Sequence, residues 1–160
     1  MSMKKCMVWA LVLATLCLTF GLCACGGGDD GREYTFTVSG KTLAIGASED
    51  SVTALGTPVN YSESAACGGI EGKDKIYVFN GFRVSTTPSA SGNVICRIEL
   101  TDDSVKTPEG LTIGSSLADV KNAMGNGETV GENLVYSGKT MKLTFVIRDG
   151  VVTNIQYSEK

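Results

Sequence analysis

The chain has 160 residues, a formal charge of −3 and no histidine. Without histidine the commonest general base and metal ligand is missing, and so are the Ser-His-Asp and Cys-His nucleophile designs. A mildly acidic chain with no basic run argues against nucleic acid as a partner and against polybasic docking on anionic lipid.

Lys4 and Lys5 give a positive start. An apolar stretch from about Met7 to Leu22 follows, with small residues behind it, which is the three-part layout of a secretory signal. The stretch is short beside the ~20 residues of a spanning helix. It runs into Gly26-Gly27-Gly28-Asp29-Asp30-Gly31 and not into a basic stop-transfer cluster. An uncleaved N-terminal membrane helix is the other reading of these residues. The run Leu22-Cys23-Ala24-Cys25 resembles the lipobox of bacterial lipoprotein signal peptides. That resemblance implies cleavage before Cys25 and a diacylglyceryl thioether on Cys25. It also implies a domain lipid-anchored at the extracytoplasmic face of a bacterial cell membrane. Residues 1–24 are then the signal peptide, and residues 25–32 form a Gly/Asp tether that cannot bury apolar surface. One short acyl chain binds weakly, so firm anchoring takes a second acyl chain or further contacts.

Loss of Lys4 and Lys5 with the leader moves the charge from −3 to −5 (−3 − 2 = −5). About 136 residues remain, enough for one domain or two small subdomains. Cys6, Cys17 and Cys23 leave with the leader and Cys25 takes the lipid, so Cys67 and Cys96 remain. An even pair in an oxidising compartment reads as a disulfide. It would close a loop of about 29 residues, worth roughly 3–4 kcal/mol in the chain-entropy account. Two separate buried thiols are the alternative. Two cysteines without histidine are too few soft ligands for zinc, and neither a metal nor a cofactor is expected.

The remaining chain repeats itself. Leu43-Ala44-Ile45-Gly46-Ala47-Ser48 lines up with Leu111-Thr112-Ile113-Gly114-Ser115-Ser116, and Val94 to Leu100 lines up with Val151 to Tyr157. The first unit spans 33–103 and the second 104–160. Each opens on a short strand, Tyr34 to Val38 or Leu111 to Ile113, that leads into Ile-Gly. A brief helix follows over 48–55 and 116–124. In the second helix Ser116 caps the first turn, Asp119 sits at the positive end, and Leu117, Val120, Ala123 and Met124 form an apolar stripe. Gly125 stops it. Period-two strands come next. In the first unit Ile76, Val78, Phe82 and Val84 face inward, as do Val94, Cys96, Ile98 and Leu100. In the second, Met141, Leu143, Phe145 and Ile147 line the core. After an Asp149-Gly150 hairpin turn, Val151, Thr153, Ile155 and Tyr157 do the same. The class is α+β: two tandem units, each a short helical segment packed on an antiparallel β-sheet.

Gly-Leu-Thr-Ile-Gly-Ser-Ser-Leu-Ala-Asp-Val at 110–120, with Arg-Asp-Gly-Val-Val-Thr-Asn-Ile at 148–155, resembles the small SmpA/OmlA (BamE) outer-membrane assembly lipoproteins. It also resembles the β-lactamase inhibitory protein fold, which has two such units in tandem. The resemblance covers nearly all of 41–160 and implies two sheets forming a concave surface that grips a protein partner.

Other motifs read blandly. Cys67-Gly68-Gly69-Ile70-Glu71-Gly72 lacks the Gly-Lys-Ser/Thr of a phosphate loop, and Asp102-Asp103 beside Glu99 lacks calcium-loop spacing. Glu49-Asp50 fits a helix first turn. Strand alternation in the first unit puts Tyr77, Phe79, Arg83, Arg97 and Glu99 on an outward face suited to binding protein or glycan. The plainer reading is an exposed sheet with cross-strand pairs such as Arg83 with Glu99. The functional expectation is a non-enzymatic, membrane-anchored module that binds a protein or cell-envelope component. The alternative is a small-ligand receptor or envelope-stress sensor with a cleft between the units. With no histidine, nucleophile motif or metal set, no catalytic residue is expected.

Overall fold

The computed structural model describes residues 31–67 and 71–160. The leader, Cys25 and most of the tether lie outside the described residues. The chain begins with β1 (Phe36–Val38) and β2 (Lys41–Leu43), a hairpin in which Phe36 pairs with Leu43. The one-turn helix α1 (Asp50–Thr53) follows. A meander comes next: β3 (Asn60–Ala65), β4 (Lys73–Phe79), β5 (Phe82–Ser89) and β6 (Gly92–Leu100). A connector leads to α2 (Leu117–Met124). A second meander closes the chain: β7 (Glu128–Val130), β8 (Asn133–Ser137), β9 (Met141–Arg148) and β10 (Val151–Glu159).

The two meanders do not make two sheets. β6 pairs antiparallel with β10, which fuses them into one eight-stranded sheet ordered β3-β4-β5-β6-β10-β9-β8-β7. This overturns the expected α+β architecture of two units, each with a helix packed on its own sheet. The protein is predominantly β. Gly46 and Gly56 bracket the first helical segment and it makes a single turn. In the second, Val120 and Met124 are buried while Ala123 is exposed, so the predicted stripe is narrower than its spacing suggested. What covers the sheet is mostly other than helix. Phe36 of the β1–β2 hairpin lies 5.0 Å from Phe82 and 6.1 Å from Tyr157, ring centre to ring centre. Tyr34, Leu43 and Leu111 are buried in the same core.

The repeat nonetheless has a physical counterpart. In the first half Gly46 N–H donates to Ile95 O (2.7 Å) and Ile95 N–H to Ala47 O (2.8 Å). In the second, Gly114 N–H donates to Val152 O and Val152 N–H to Ser115 O, both at 2.8 Å. Gly46 and Gly114 have φ of 82° and 93°, a conformation that side chains with a Cβ disfavour. Ser48 bridges to Val94 and Ser116 to Val151. Both receiving strands carry a β-bulge at the matching residue, Cys96 in β6 and Thr153 in β10.

The bulges correct the inward phase expected of both strands. A bulge adds one residue and reverses the alternation beyond it. Ile95, Ile98 and Leu100 are therefore buried in β6, while Cys96 is half-buried and Val94 leaves the core. In β10 the buried residues are Val152, Ile155 and Tyr157, while Val151 and Thr153 are exposed.

Other local expectations match the structure. Ser116 Oγ accepts from Asp119 N–H (3.1 Å), and Asp119 Oδ2 accepts from Ser116 N–H (2.9 Å), a reciprocal capping box. Asp149 and Gly150 take φ of 51° and 77° and close the β9–β10 hairpin.

Candidate functional site

One face of the eight-stranded sheet holds the core and the other is open. Register determines which side chains share the open face. One row crosses the middle: Arg83, Glu99, Gln156, Thr144 and Val135, each paired with the next across neighbouring strands. A second row beside it runs Ile76, Ser85, Arg97, Ser158, Lys142 and Ser137.

Arg83 and Glu99 form a bidentate pair. Arg83 Nε donates to Glu99 Oε2 at 2.6 Å and a terminal nitrogen donates to Oε1 at 3.0 Å. The Glu99 hydrogen bond holds the guanidinium above its ordinary range. This is the cross-strand pair the alternation predicted, and Glu99 is only 7% exposed. Arg97 and Lys142 stand two strands apart, about 10 Å at ordinary strand spacing. Neither has an ion-pair partner among the described residues. The face holds two adjoining depressions of about 800 and 600 Å³ that share Lys142 and Gln156. The larger is lined by hydroxyls of β5, β3 and β10 with Arg97, and by the carboxylates of Asp74 and Glu159. It is a shallow, polar, mixed-charge trough.

Two residues expected on this face lie on the other. Tyr77 pairs with Val84 and is 8% exposed. Phe79 pairs with Phe82 and stacks on it at 5.0 Å. β4 thus has the opposite phase to the one expected: Ile76 and Val78 face the open side, and Ile76 is 40% exposed. The cause is a polar group that alternation alone could not locate. Glu49, one residue before α1, turns its carboxylate onto the core side of β4 and β5. Its Oε1 accepts from Tyr77 OH (2.5 Å) and Thr86 Oγ1 (3.2 Å), and its Oε2 from Lys75 Nζ (2.9 Å). Burial opposes the charge of Glu49. The Tyr77, Lys75 and Thr86 donors outweigh that and leave its carboxyl below the ordinary 4.5. Burial, with Glu49 next, raises the Tyr77 phenol. The carboxylate therefore stays charged while the phenol stays a donor.

The expected Cys67–Cys96 bond is not formed: Cys67 is an exposed free thiol and Cys96 a half-buried one. β5 stands between β6, which carries Cys96, and the β3–β4 hairpin whose turn carries Cys67. At least two strand spacings, about 10 Å, separate them, against the ~7 Å at which Cα atoms can still be bridged. Cys96 Sγ donates instead to Ser85 O (3.3 Å), and burial pushes its thiol up.

Sequence reasoning missed Glu49, Lys75 and Thr86 as a cluster, because three separate elements supply them. It also missed Lys142, whose place beside Arg97 depends on the β6–β10 pairing. No family model, no curated protein and no solved structure matches this chain, and the open face is therefore read from its own geometry.

Proposed function

We propose that this chain is a lipid-anchored, extracytoplasmic binding module that contacts a protein or cell-envelope component through the open face of its sheet. The anchor rests on the residues of the leader, with Cys25 as the lipidated residue. The observation that carries the binding reading is the open face itself. It is broad, its main-chain groups are already paired within the sheet, and it presents hydroxyls, an amide and two cations with no ion-pair partner among the described residues. Arg and exposed amides on a preformed surface suit a polar partner, because they donate hydrogen bonds without reorganising the backbone. Arg97 and Lys142 are the residues assigned to contact, with Gln156 and Ser158 between them. Arg83 and Glu99 hold each other and keep the middle of the face rigid. The small-ligand alternative has less support: β6 and β10 are hydrogen-bonded neighbours where a cleft between halves would have to open.

The test is capture from bacterial envelope extracts by the wild-type protein and by Arg97→Ala/Lys142→Ala. Loss of the captured component in the double variant, at unchanged melting temperature, supports the assignment. Equal capture by both removes it. Intact mass measurement of membrane-purified protein tests the anchor separately. The expected species begins at Cys25 and carries a diacylglyceryl group.

A further inference from the structure

The two halves differ most on the core side, at the free edges of the sheet. In the first half the row Ile98, Val84, Tyr77, Tyr61 runs outward to edge strand β3. In the second, the matching row is Ile155, Phe145, Leu134, Thr129, ending on edge strand β7. Tyr61 and Thr129 therefore occupy equivalent positions. So do Glu49 and Leu117, each one residue beyond the bridging serine, and Thr86 and Ile147, each opposite the residue before the bulge.

Each substitution changes what fills the space. In the first half the Tyr61 ring covers Tyr77 at 5.1 Å between ring centres, and Glu49 closes the inner end with its three donors. In the second half Thr129 is too short to cover Leu134, and Leu117 and Ile147 stand where the polar groups were. A cleft of about 200 Å³ remains, walled by Leu117, Leu134 and Ile147, with Lys121, Thr129 and Glu132 at its mouth. That volume is about one large side chain. Beyond Thr129 lies the unpaired edge of β7, whose three residues are all exposed.

We infer that this cleft receives one aromatic side chain of a partner polypeptide laid along β7 as an added strand. In the first half a ring on the edge strand, Tyr61, lies over its pair on the adjacent strand, Tyr77. By the same reach, a ring on a strand added beyond β7 lies over its pair there, Thr129. A residue opposite Thr129 in an added strand projects to the same face as Thr129 and so enters the cleft from its open side. The ring gains apolar burial against Leu117, Leu134 and Ile147, and the main chain gains the hydrogen bonds that β7 leaves open. This site is on the opposite side of the sheet from the open face and does not depend on the function proposed above.

The probe is a blocked Ala-Tyr-Ala tripeptide, titrated into the 15N-labelled full chain in detergent and followed by amide shifts, with p-cresol as the ring without a backbone. Shifts are expected at Lys121, Thr129, Gly131 and Asn133. The tripeptide should bind about tenfold more tightly than p-cresol, the worth of one or two added main-chain hydrogen bonds. Thr129→Tyr fills the cleft from within, as Tyr61 does in the first half, and should abolish the shifts. If that variant does not fold, Leu117→Phe fills the same space from the helix. Absence of shifts, or shifts that survive a folded filling variant, overturns the inference. Equal affinity for the two probes overturns the strand-addition part. Concentration-dependent self-association that Thr129→Tyr removes would make a second copy the occupant and overturn the partner.

Discussion

The two halves of the sheet share a backbone and differ in how they seal their outer ends. Both dock an Ile-Gly turn onto a bulged strand through the same pair of main-chain hydrogen bonds. The first half then closes its end with a charged carboxylate held by three donors and a tyrosine lid. The second closes with aliphatic side chains and leaves a cleft. Main-chain geometry is thus common to both, because it depends on a glycine that tolerates positive φ and on hydrogen bonds that any residue can make. Side chains at the edge are free to diverge, because an exposed edge constrains volume weakly.

The comparison can be broken most severely at its centre. Phe145→Ala removes a fully buried ring that meets Tyr136 edge-on at 5.9 Å, and should cost about 3–5 kcal/mol in denaturant unfolding. The equivalent Val84→Ala removes two methyl groups and should cost roughly half as much. If the order reverses, the two rows are not equivalent in packing.

Glu49→Ala should cost about 2–3 kcal/mol, because it strands the Tyr77 and Thr86 hydroxyls on the core side without their acceptor. The pH dependence follows from the lowered carboxyl. A carboxylate whose folded value lies below its unfolded one adds stability above the unfolded value. That stability is lost as pH falls through the folded one. Wild type should therefore lose stability as pH drops below 4.5, and Glu49→Gln should lose less over the same window. Leu117→Ala, at the matching site, keeps Glu49, so its loss of stability relative to wild type should be the same at neutral and acid pH. Parallel unfolding curves for wild type and Glu49→Gln from neutral to acid pH would remove the charge from the account.

Smaller effects sharpen the picture. Tyr157 lies near the join of the halves, 1% exposed, and its hydroxyl has no hydrogen-bond partner among the described residues. Its phenol is raised by burial. Tyr157→Phe removes that unpaired group and should raise stability by about 1 kcal/mol. A loss of stability instead would mean that the hydroxyl is satisfied in solution. Ser116→Ala should cost about 1 kcal/mol through the capping box, whereas Ser48→Ala, which precedes only one helical turn, should cost less.

Local chemistry was legible in the chain. Ser116 with Asp119 announces a capped helix, Asp149-Gly150 announces a tight hairpin, and the two Ile-Gly turns announce a repeat. The Arg83–Glu99 pair followed from alternation alone. The phase of β4 did not. Ile76 and Val78 are better core residues than Tyr77 by composition, and only Glu49, distant in sequence, gives the Tyr77 hydroxyl a reason to point inward. The bulges at Cys96 and Thr153 were equally hidden, since a strand that carries one extra residue looks periodic on either side of it. Those misplacements shifted the predicted binding face: Arg83, Arg97 and Glu99 belong to it, while Tyr77 and Phe79 belong to the core.

The sequence by itself determined the duplicated turns, the Ser116 cap, the Asp149-Gly150 hairpin and the lack of histidine, because each depends on a few neighbouring residues or on composition. Only the tertiary structure decided that both repeats share one sheet, which face is open, and that Lys142 stands near Arg97. Only it separated Cys67 from Cys96. These depend on the β6–β10 pairing and on two bulges. Strand pairing over long separations is fixed by how apolar faces meet, which no local pattern specifies.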